Sequence, residues 1–571
     1  MLPAQWVELD ALPLNANGKV DRKQLTDKPL AWMGTAPAMA APRTPTEAAL
    51  YPIWAEVLGV AQFGVDDDFF SLGGHSLLAT YVISRIRAAF TVELPLKALF
   101  EHPTVAQLAA VIASCAAAPA AMPTIAQQSR PARIPLSFAQ QRLWFVEQLN
   151  PGSSQFNVPI AIRLLGAVDP VILEGSFCRL LERHEVLRTA FGVEDGVPCQ
   201  RIEAQVGFEL PLLDYRALST SGREQAIKSL LREEFDRPFD LARAPLLRAR
   251  LIQLPDQEHL LALTLHHLVS DGWSATLVLR ELAEAYAALQ GGRAPEWPAL
   301  PIQYADFALW QRSFMQGAEL ERQLAYWKKA VSPRDGSDTD YLLTLPTDRP
   351  RPAVQSYASG LLSVKLSSEL SDRIRAFASR QKQSPFSLVF AAFAALLHRM
   401  SGQHHLVLGT PMSNRRLAET EHMLGILLNN LAIAADFSAD PTFAQLARQV
   451  SDSLLEAQEH QDLPFEHLVD QLALPRSLSH APLFQVMVAQ QLNVEERVRF
   501  PGIAFEVLPT DLNHSEYDLD LHIVAPVKGP FELGLMYAHD LFEQTTAEGW
   551  LDRFVVLLER LLDNPAQRVA A

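Results

Sequence analysis

The sequence predicts a multidomain chain, with a small all-α unit ahead of a large α/β unit built in two lobes. Three observations carry this expectation. Two proline-rich stretches, Lys28 to Thr46 and Ala116 to Pro135, lack apolar periodicity and read as semi-extended linkers. Between them, apolar residues recur at helical spacing. Beyond them, strand-like and helix-like patterns alternate over more than 400 residues, which exceeds one ordinary core.

Composition narrows the function classes. The 571 residues are 49% hydrophobic and 20% charged, enough to bury large cores. The net charge of −16 argues against a phosphate-backbone binder, so no nucleic-acid partner is expected. No apolar run reaches the roughly 18 residues of a membrane span, so no membrane partner is expected. The start, Met1-Leu2-Pro3-Ala4-Gln5-Trp6, lacks the basic and apolar regions of a secretory signal. Cys115, Cys178 and Cys199 are odd in number and lack CxxC spacing. Neither a disulfide framework nor a metal site is expected, and a reducing cytoplasm is the expected location. The chain is expected to act as a monomer.

The elements follow in order. A head over 1–30 is too short to fold alone. Its Asn17-Gly18 suits a tight turn that presents Lys19. A linker fills 31–43. In the small unit, 44–115, Thr46-Glu47-Ala48-Ala49-Leu50 starts a helix that Gly59 stops. Leu78, Val82, Ile83 and Ile86 mark a second helix beginning near Ser76. Thr104 caps a third at Val105–Ser114. After a linker at 116–132, the large unit runs over 133–571. Leu246–Leu254 and His259–His267 read as paired strands around Pro255-Asp256, followed by a helix at Ser274–Leu289. Crowded apolar residues at Ser387–Met400 predict a buried helix. The Pro- and Gly-containing stretch Ser332 to Val354 divides the lobes, about 133–335 and 355–571.

The first stretch with chemical content is Asp68-Phe69-Phe70-Ser71-Leu72-Gly73-Gly74-His75-Ser76-Leu77. Two glycines allow a sharp backbone path, and Ser76 then opens a helix whose free N–H groups favour a phosphate. The residues alone leave two readings open: a plain N-cap serine, or a phosphodiester attachment site. The motif resembles that of peptidyl carrier domains of nonribosomal peptide synthetases. The resemblance implies a four-helix bundle and a 4′-phosphopantetheine carried on Ser76, attached by a phosphopantetheinyl transferase. In the head, Leu14-Asn15-Ala16-Asn17-Gly18-Lys19-Val20-Asp21-Arg22 resembles the last motif of adenylation domains. That implies a C-terminal adenylation remnant, with Lys19 matching the lysine that contacts the acyl adenylate, and an upstream adenylation domain as partner.

The second stretch is Leu265-His266-His267-Leu268-Val269-Ser270-Asp271-Gly272-Trp273-Ser274. If a strand leads into it, Leu261, Leu263, Leu265 and His267 share one face and His266 the other. Ending an apolar row, His267 is kept neutral by desolvation and can accept a proton. A lone buried histidine is more often structural, but Gly272, which admits a substrate backbone, weakens that reading. Zinc is disfavoured, because HHxxxD offers at most three awkwardly placed ligands.

This segment resembles the HHxxxDG signature of condensation domains, within the chloramphenicol-acetyltransferase-like superfamily. Further motifs agree in order: Ser137–Phe145, Arg183–Thr189, Tyr304–Gln311, Gly409–Arg415, Asn429–Leu431 and His460–Glu466. The resemblance implies that His267 is the active-site histidine. Asp271 pairs with Arg415 and shapes the loop, His266 is structural, and Arg142 and Trp310 are packing or lobe-contact residues. His404-His405 lacks a following Asp-Gly and reads as a loop or strand end. Intact histidines disfavour cyclodehydration, Gly272-Trp273-Ser274 favours condensation over epimerisation, and Ala139-Gln140-Gln141-Arg142 resembles domains taking an L-configured donor. Chain order makes the carrier thioester the donor and an aminoacyl thioester on a downstream carrier the acceptor. The expected function is peptide-bond formation; the alternative is a non-catalytic carrier-recruitment platform.

Overall fold

The computed structural model describes residues 40–570 apart from short stretches, the longest being 116–123, 334–340 and 492–497. The head, including Lys19, lies outside the described residues. Two compact units are present: residues to Gly74 with His102–Ala116, and His75–Glu101 with Ala117–Ala571.

In the first unit, helix α1 (Pro45–Leu58) is capped by Thr44, which accepts the N–H of Glu47, and ends at Gly59 in the left-handed region. Its Trp54 meets Phe69 edge-on at 5.1 Å between ring centroids. The unit's other helix runs over Val105–Ser114 and is capped by Thr104. It starts beside the incoming loop, where Phe69 N–H donates to the carbonyl of Pro103. Both starts satisfy orphan N–H groups with a threonine hydroxyl.

The second unit opens with helices α2 (Ser76–Phe90) and α3 (Leu96–Glu101); with the Val105–Ser114 helix as α4, these are the four helices of 44–115. All four lie within the 44–115 of the sequence reading, and α2 and α3 also contact the large unit. On α2, Arg85 pairs with Glu421 at 2.9 Å, and Tyr81 lies against Trp273. Short α3 was not among the helices read from periodicity, because six residues are too few to display it.

The rest of the unit is α/β with two main hydrophobic cores. A five-stranded sheet serves the first. Its strands are β2 (Asn157–Leu165), β5 (Leu212–Asp214), β6 (Leu247–Gln253), β7 (Glu258–His266) and β12 (Ala504–Leu508), in the order β12-β2-β7-β6-β5. Leu261, Leu263 and Leu265 face one core and Leu260 and Ala262 another, as a period of two requires. β6 and β7 pair antiparallel around a turn in which Asp256 and Gln257 both have positive φ. A small sheet, β1-β4-β3, comprises Ile134–Pro135, Val197–Ile202 and Thr189–Glu194. The second core lies against a six-stranded sheet in the order β10-β9-β11-β13-β14-β8. These strands are Asn429–Asp436, His405–Met412, Val486–Gln491, Leu519–Val524, Glu532–Ala538 and Ser359–Lys365. The helix at Pro385–Ser401 is almost wholly buried there.

The lobes interlock more than a division at 335/355 implies. β12 comes from the later segment but pairs antiparallel with β2, from Ala504 opposite Leu165 to Leu508 opposite Ala161. It covers an edge that would otherwise present unpaired backbone. Leu417, Met423, Leu424, Ile426 and Leu427 also pack into the first core. Conversely, Trp327 and Val331 of the earlier segment pack into the second. The stretch expected as linker at 116–132 is held in its second half, where Ile125 is buried in the first core.

Candidate active site

His267 stands immediately beyond β7. Its backbone N–H donates to the carbonyl of Phe156, and the chain then turns through Val269 N–H to the carbonyl of His266. The turn brings the Ser270 carbonyl 2.7 Å from Nδ1 of His267. A carbonyl only accepts, so Nδ1 carries the proton and donates. In the neutral ring, Nε2 therefore holds the lone pair, and it has no hydrogen-bond partner among the described residues. Burial pushes the pKa below the usual histidine value; Asp271's charge opposes the shift and Arg142's adds to it. Both observations favour a neutral His267 ring in a fixed tautomer, with Nε2 as the acceptor.

His266 points the other way. It lies edge-on between Phe156 and Phe239, takes the N–H of Leu268 on Nδ1, and approaches Glu147 through Nε2 at 3.4 Å. It braces the strand end.

Asp271 caps helix α5 (Gly272–Gln290), accepting the Ser274 N–H at 2.8 Å. The same carboxylate accepts the Ser274 hydroxyl at 2.7 Å and the Leu427 N–H at 3.1 Å, and Arg415 reaches it at 3.3 Å. Arg415, only 1% exposed, also donates to the carbonyls of Thr420 and Met423, each at 2.6 Å. The Asp271–Arg415 pair therefore ties the loop after β7 to the 420–427 segment and offers nothing to Nε2 of His267. Ser274 was missed as a member of this network, although a serine three residues after an N-cap aspartate is a readable signal.

A cavity of about 440 Å³ opens beside this loop. Its walls come from β2 (Val158–Ala161), the start of α5, the end of β9, β11 and β12. Asp271, Gly272 and Trp273 line it, whereas His267, at the base of the same loop, is not among its lining residues. A Cβ added at Gly272 would meet no atom within 4 Å, so this wall faces open space. A mostly apolar cleft with a few convergent polar groups is the usual form of a small-molecule channel.

The remaining predicted residues take structural places. Arg142 pairs with Glu466 at 3.1 Å, joining early and late segments. Trp310 is buried and stacks on Phe314. His405 begins β9. Asn429 bonds to the carbonyls of Gln461 and Leu463, bringing two of the late motifs together.

At the glycine loop, Asp68 accepts the N–H groups of Phe70 and Ser71, each at 2.9 Å. Gly73 has φ +103°, and a Cβ at Gly74 would overlap the Phe69 ring. Both positions require glycine for different reasons. Ser76 is placed as the first residue of α2; its side chain and His75 lie outside the described residues. Gly74→Ala is expected to push Phe69 off Trp54 and cost about 1–3 kcal/mol. Thermal melting and the extent of phosphopantetheine loading would read this.

Two family models match: the condensation domain over residues 131–571, and the phosphopantetheine attachment site over 48–112. Among curated proteins, one linear gramicidin synthase polypeptide of Brevibacillus parabrevis is 42% identical over 576 aligned residues, covering all of this chain and 11% of that protein. A second linear gramicidin synthase polypeptide of the same organism is 43% identical, again over the whole chain and 7% of that protein. The chain thus spans about a tenth or less of the curated relatives it matches most strongly. Among solved structures, the X-domain from teicoplanin biosynthesis in complex with OxyB gives a TM-score of 0.70 at 30% identity. That alignment covers 79% of this chain and 98% of that one. The first condensation domain of the calcium-dependent antibiotic synthetase gives 0.64 at 22% identity over 77% of this chain and 99% of that one, a likeness of fold.

Proposed function

Because the chain belongs to the condensation-domain family and carries a phosphopantetheine attachment site ahead of that domain, we propose that it forms peptide bonds in nonribosomal peptide synthesis. The reaction class is aminolysis of a thioester, in which a C–N bond forms, a C–S bond breaks and the departing sulfur takes up a proton. Ser76, at the start of α2 beyond Gly73, required by its backbone angle, and Gly74, required by the Phe69 ring, is the residue that fits the prosthetic group. Phosphopantetheine supplies, when bound, a thiol that holds the donor acyl group.

The single observation that carries the chemistry is the His267 Nδ1–H bond to Ser270, which leaves the Nε2 lone pair free. That nitrogen accepts a hydrogen bond from the acceptor amine, orients it and takes its proton. An α-amino group titrates near pH 7.7–8.0, so the base needs only modest strength. Holding both substrates in one cleft supplies the larger share, on the order of 7–11 kcal/mol in favourable cases. Asp271 and Arg415 hold the loop that positions His267.

We further propose that residues 1–30 carry the closing motif of an adenylation domain and that a phosphopantetheinyl transferase modifies Ser76. The partners are then an upstream adenylation domain and a downstream acceptor carrier, with the chain acting as a cytoplasmic monomer. The Ser76→Ala chain is expected to gain no phosphopantetheine by intact mass and to form no amide, while the parent chain gains one group. Loading of the Ser76→Ala chain would remove Ser76 from its role. A second reading, a recruitment platform, is favoured by one observation: the similar X-domain is solved in complex with OxyB. A fully loaded chain that forms no amide with any of several donors and acceptors would favour it.

A further inference from the structure

The cavity beside the catalytic loop has a wall chemistry that aminolysis itself does not require. On α5, Gly272, Ala275, Thr276 and Leu279 line it, the last three standing three, four and seven residues after the first, which is one face of a helix. Val158 and Ile160 of β2 and Met412 at the end of β9 line it as well. Its polar walls are neutral amides and hydroxyls, such as those of Gln490, Ser413 and Thr510. Asp271 is the one ionisable group among the described lining residues. That carboxylate is 1% exposed and already accepts from Ser274, Leu427 and Arg415. Its charge is met by Arg415, so the described walls offer no free countercharge of either sign. A charged group held there loses water and gains no partner, whereas an apolar group gains by burial. One further lining residue gives the side of entry. Thr80 lies four residues, about one helical turn, after Ser76 on α2 and also lines the cavity.

We propose that this cavity holds the side chain of the donor aminoacyl group and selects uncharged, apolar donors, with Ala275 and Thr276 as specificity-determining positions. The inference rests on the reading that Ser76 delivers the donor for peptide-bond formation. Ala275 and Thr276 are small and leave room beside Gly272, while Leu279, Ile160 and Met412 supply apolar contact. An acidic or basic donor side chain must either strip its charge of water or hold back from the cavity. Donor charge is therefore expected to lower the rate about tenfold or more, on the scale by which pockets reject a poorly matched group. Acceptor charge is expected to matter less.

The test is single-turnover amide formation with Ser76 loaded in turn with leucyl-, lysyl- and glutamyl-phosphopantetheine. Loading is matched by intact mass, and one loaded acceptor carrier is supplied throughout. In the parent chain the leucyl donor is expected to react about tenfold or more faster than either charged donor. A second arm keeps the leucyl donor and varies the acceptor among the same three amino acids, with a smaller spread expected. A third arm uses Ala275→Asp, which adds a carboxylate to the wall. There the ratio of lysyl to leucyl rates should rise about tenfold and the ratio of glutamyl to leucyl rates should fall. Ratios taken within one chain cancel a general loss of fold or turnover, and the first arm needs no variant. Equal rates for the three donors in the parent chain would overturn the proposal, as would ratios that Ala275→Asp leaves unchanged. Selectivity confined to the acceptor arm would place the acceptor in the cavity and overturn the donor assignment. Absence of product from every donor and acceptor would instead overturn the peptide-bond reading, and this inference with it.

Discussion

His267→Ala is expected to lower amide formation about 10²–10⁴-fold while leaving the fold intact. Among the described residues the ring makes a single hydrogen bond, from Nδ1 to the Ser270 carbonyl, and only about 1 kcal/mol of stability goes with it. What is lost is the Nε2 acceptor. Residual turnover remains, because approximation of the two substrates does not need the imidazole. The pH dependence has a definite sign. Burial holds the folded-state pKa below the ordinary 6.5, so the ring is neutral at pH 7 and gains a proton only at lower pH. Titration of the acceptor amine near pH 7.7–8.0 lowers the rate through neutrality in both chains; below the His267 pKa the parent chain should fall more steeply, and this additional limb should vanish in His267→Ala. A limb that persists in the variant would assign it to another group.

Asp271→Ala is expected to have the largest effect on stability, about 3–5 kcal/mol, with activity lost alongside. Removing the carboxylate strands the buried Arg415 guanidinium and leaves the Leu427 N–H and the Ser274 hydroxyl short of a partner. It also removes the N-cap of α5, whose first turn lines the cavity. Arg415→Ala should cost a similar amount, since it strands Asp271 and frees the carbonyls of Thr420 and Met423. Denaturant midpoints measure both. Turnover lost with an unchanged midpoint would make Asp271 a participant in the chemistry and contradict its structural role.

Local patterns made much of this legible. The cap Thr104, the stop at Gly59 and the alternation through Leu261, Leu263 and Leu265 each follow from neighbours within a few residues, whereas the helix expected from Ser274 starts at Gly272 with Asp271 as its cap. The hairpin, its following helix and the neutrality of His267 are therefore readable from short stretches of sequence. The pairing of Asp271 with Arg415 came from motif resemblance, because no local pattern links positions 144 residues apart. The pairing of β12 with β2, the packing of 417–427 into the first core and the grip of Asp306 on Gln128 and Arg130 were not legible. Each depends on a partner more than 100 residues away. An alternating strand shows which face is buried, not which edge it will join. The proline-rich stretch after Ala116 reads as free linker for the same reason, since its anchoring groups lie in other motifs.

The decisive measurement is single-turnover amide formation followed by product mass spectrometry, with donor loaded on Ser76 and a loaded acceptor carrier supplied separately. The parent chain and His267→Ala would be compared at equal donor loading. A base at Nε2 requires rapid product from the parent chain and a rate reduced by two to four orders of magnitude in the variant. Equal rates in the two chains would contradict the assignment of His267.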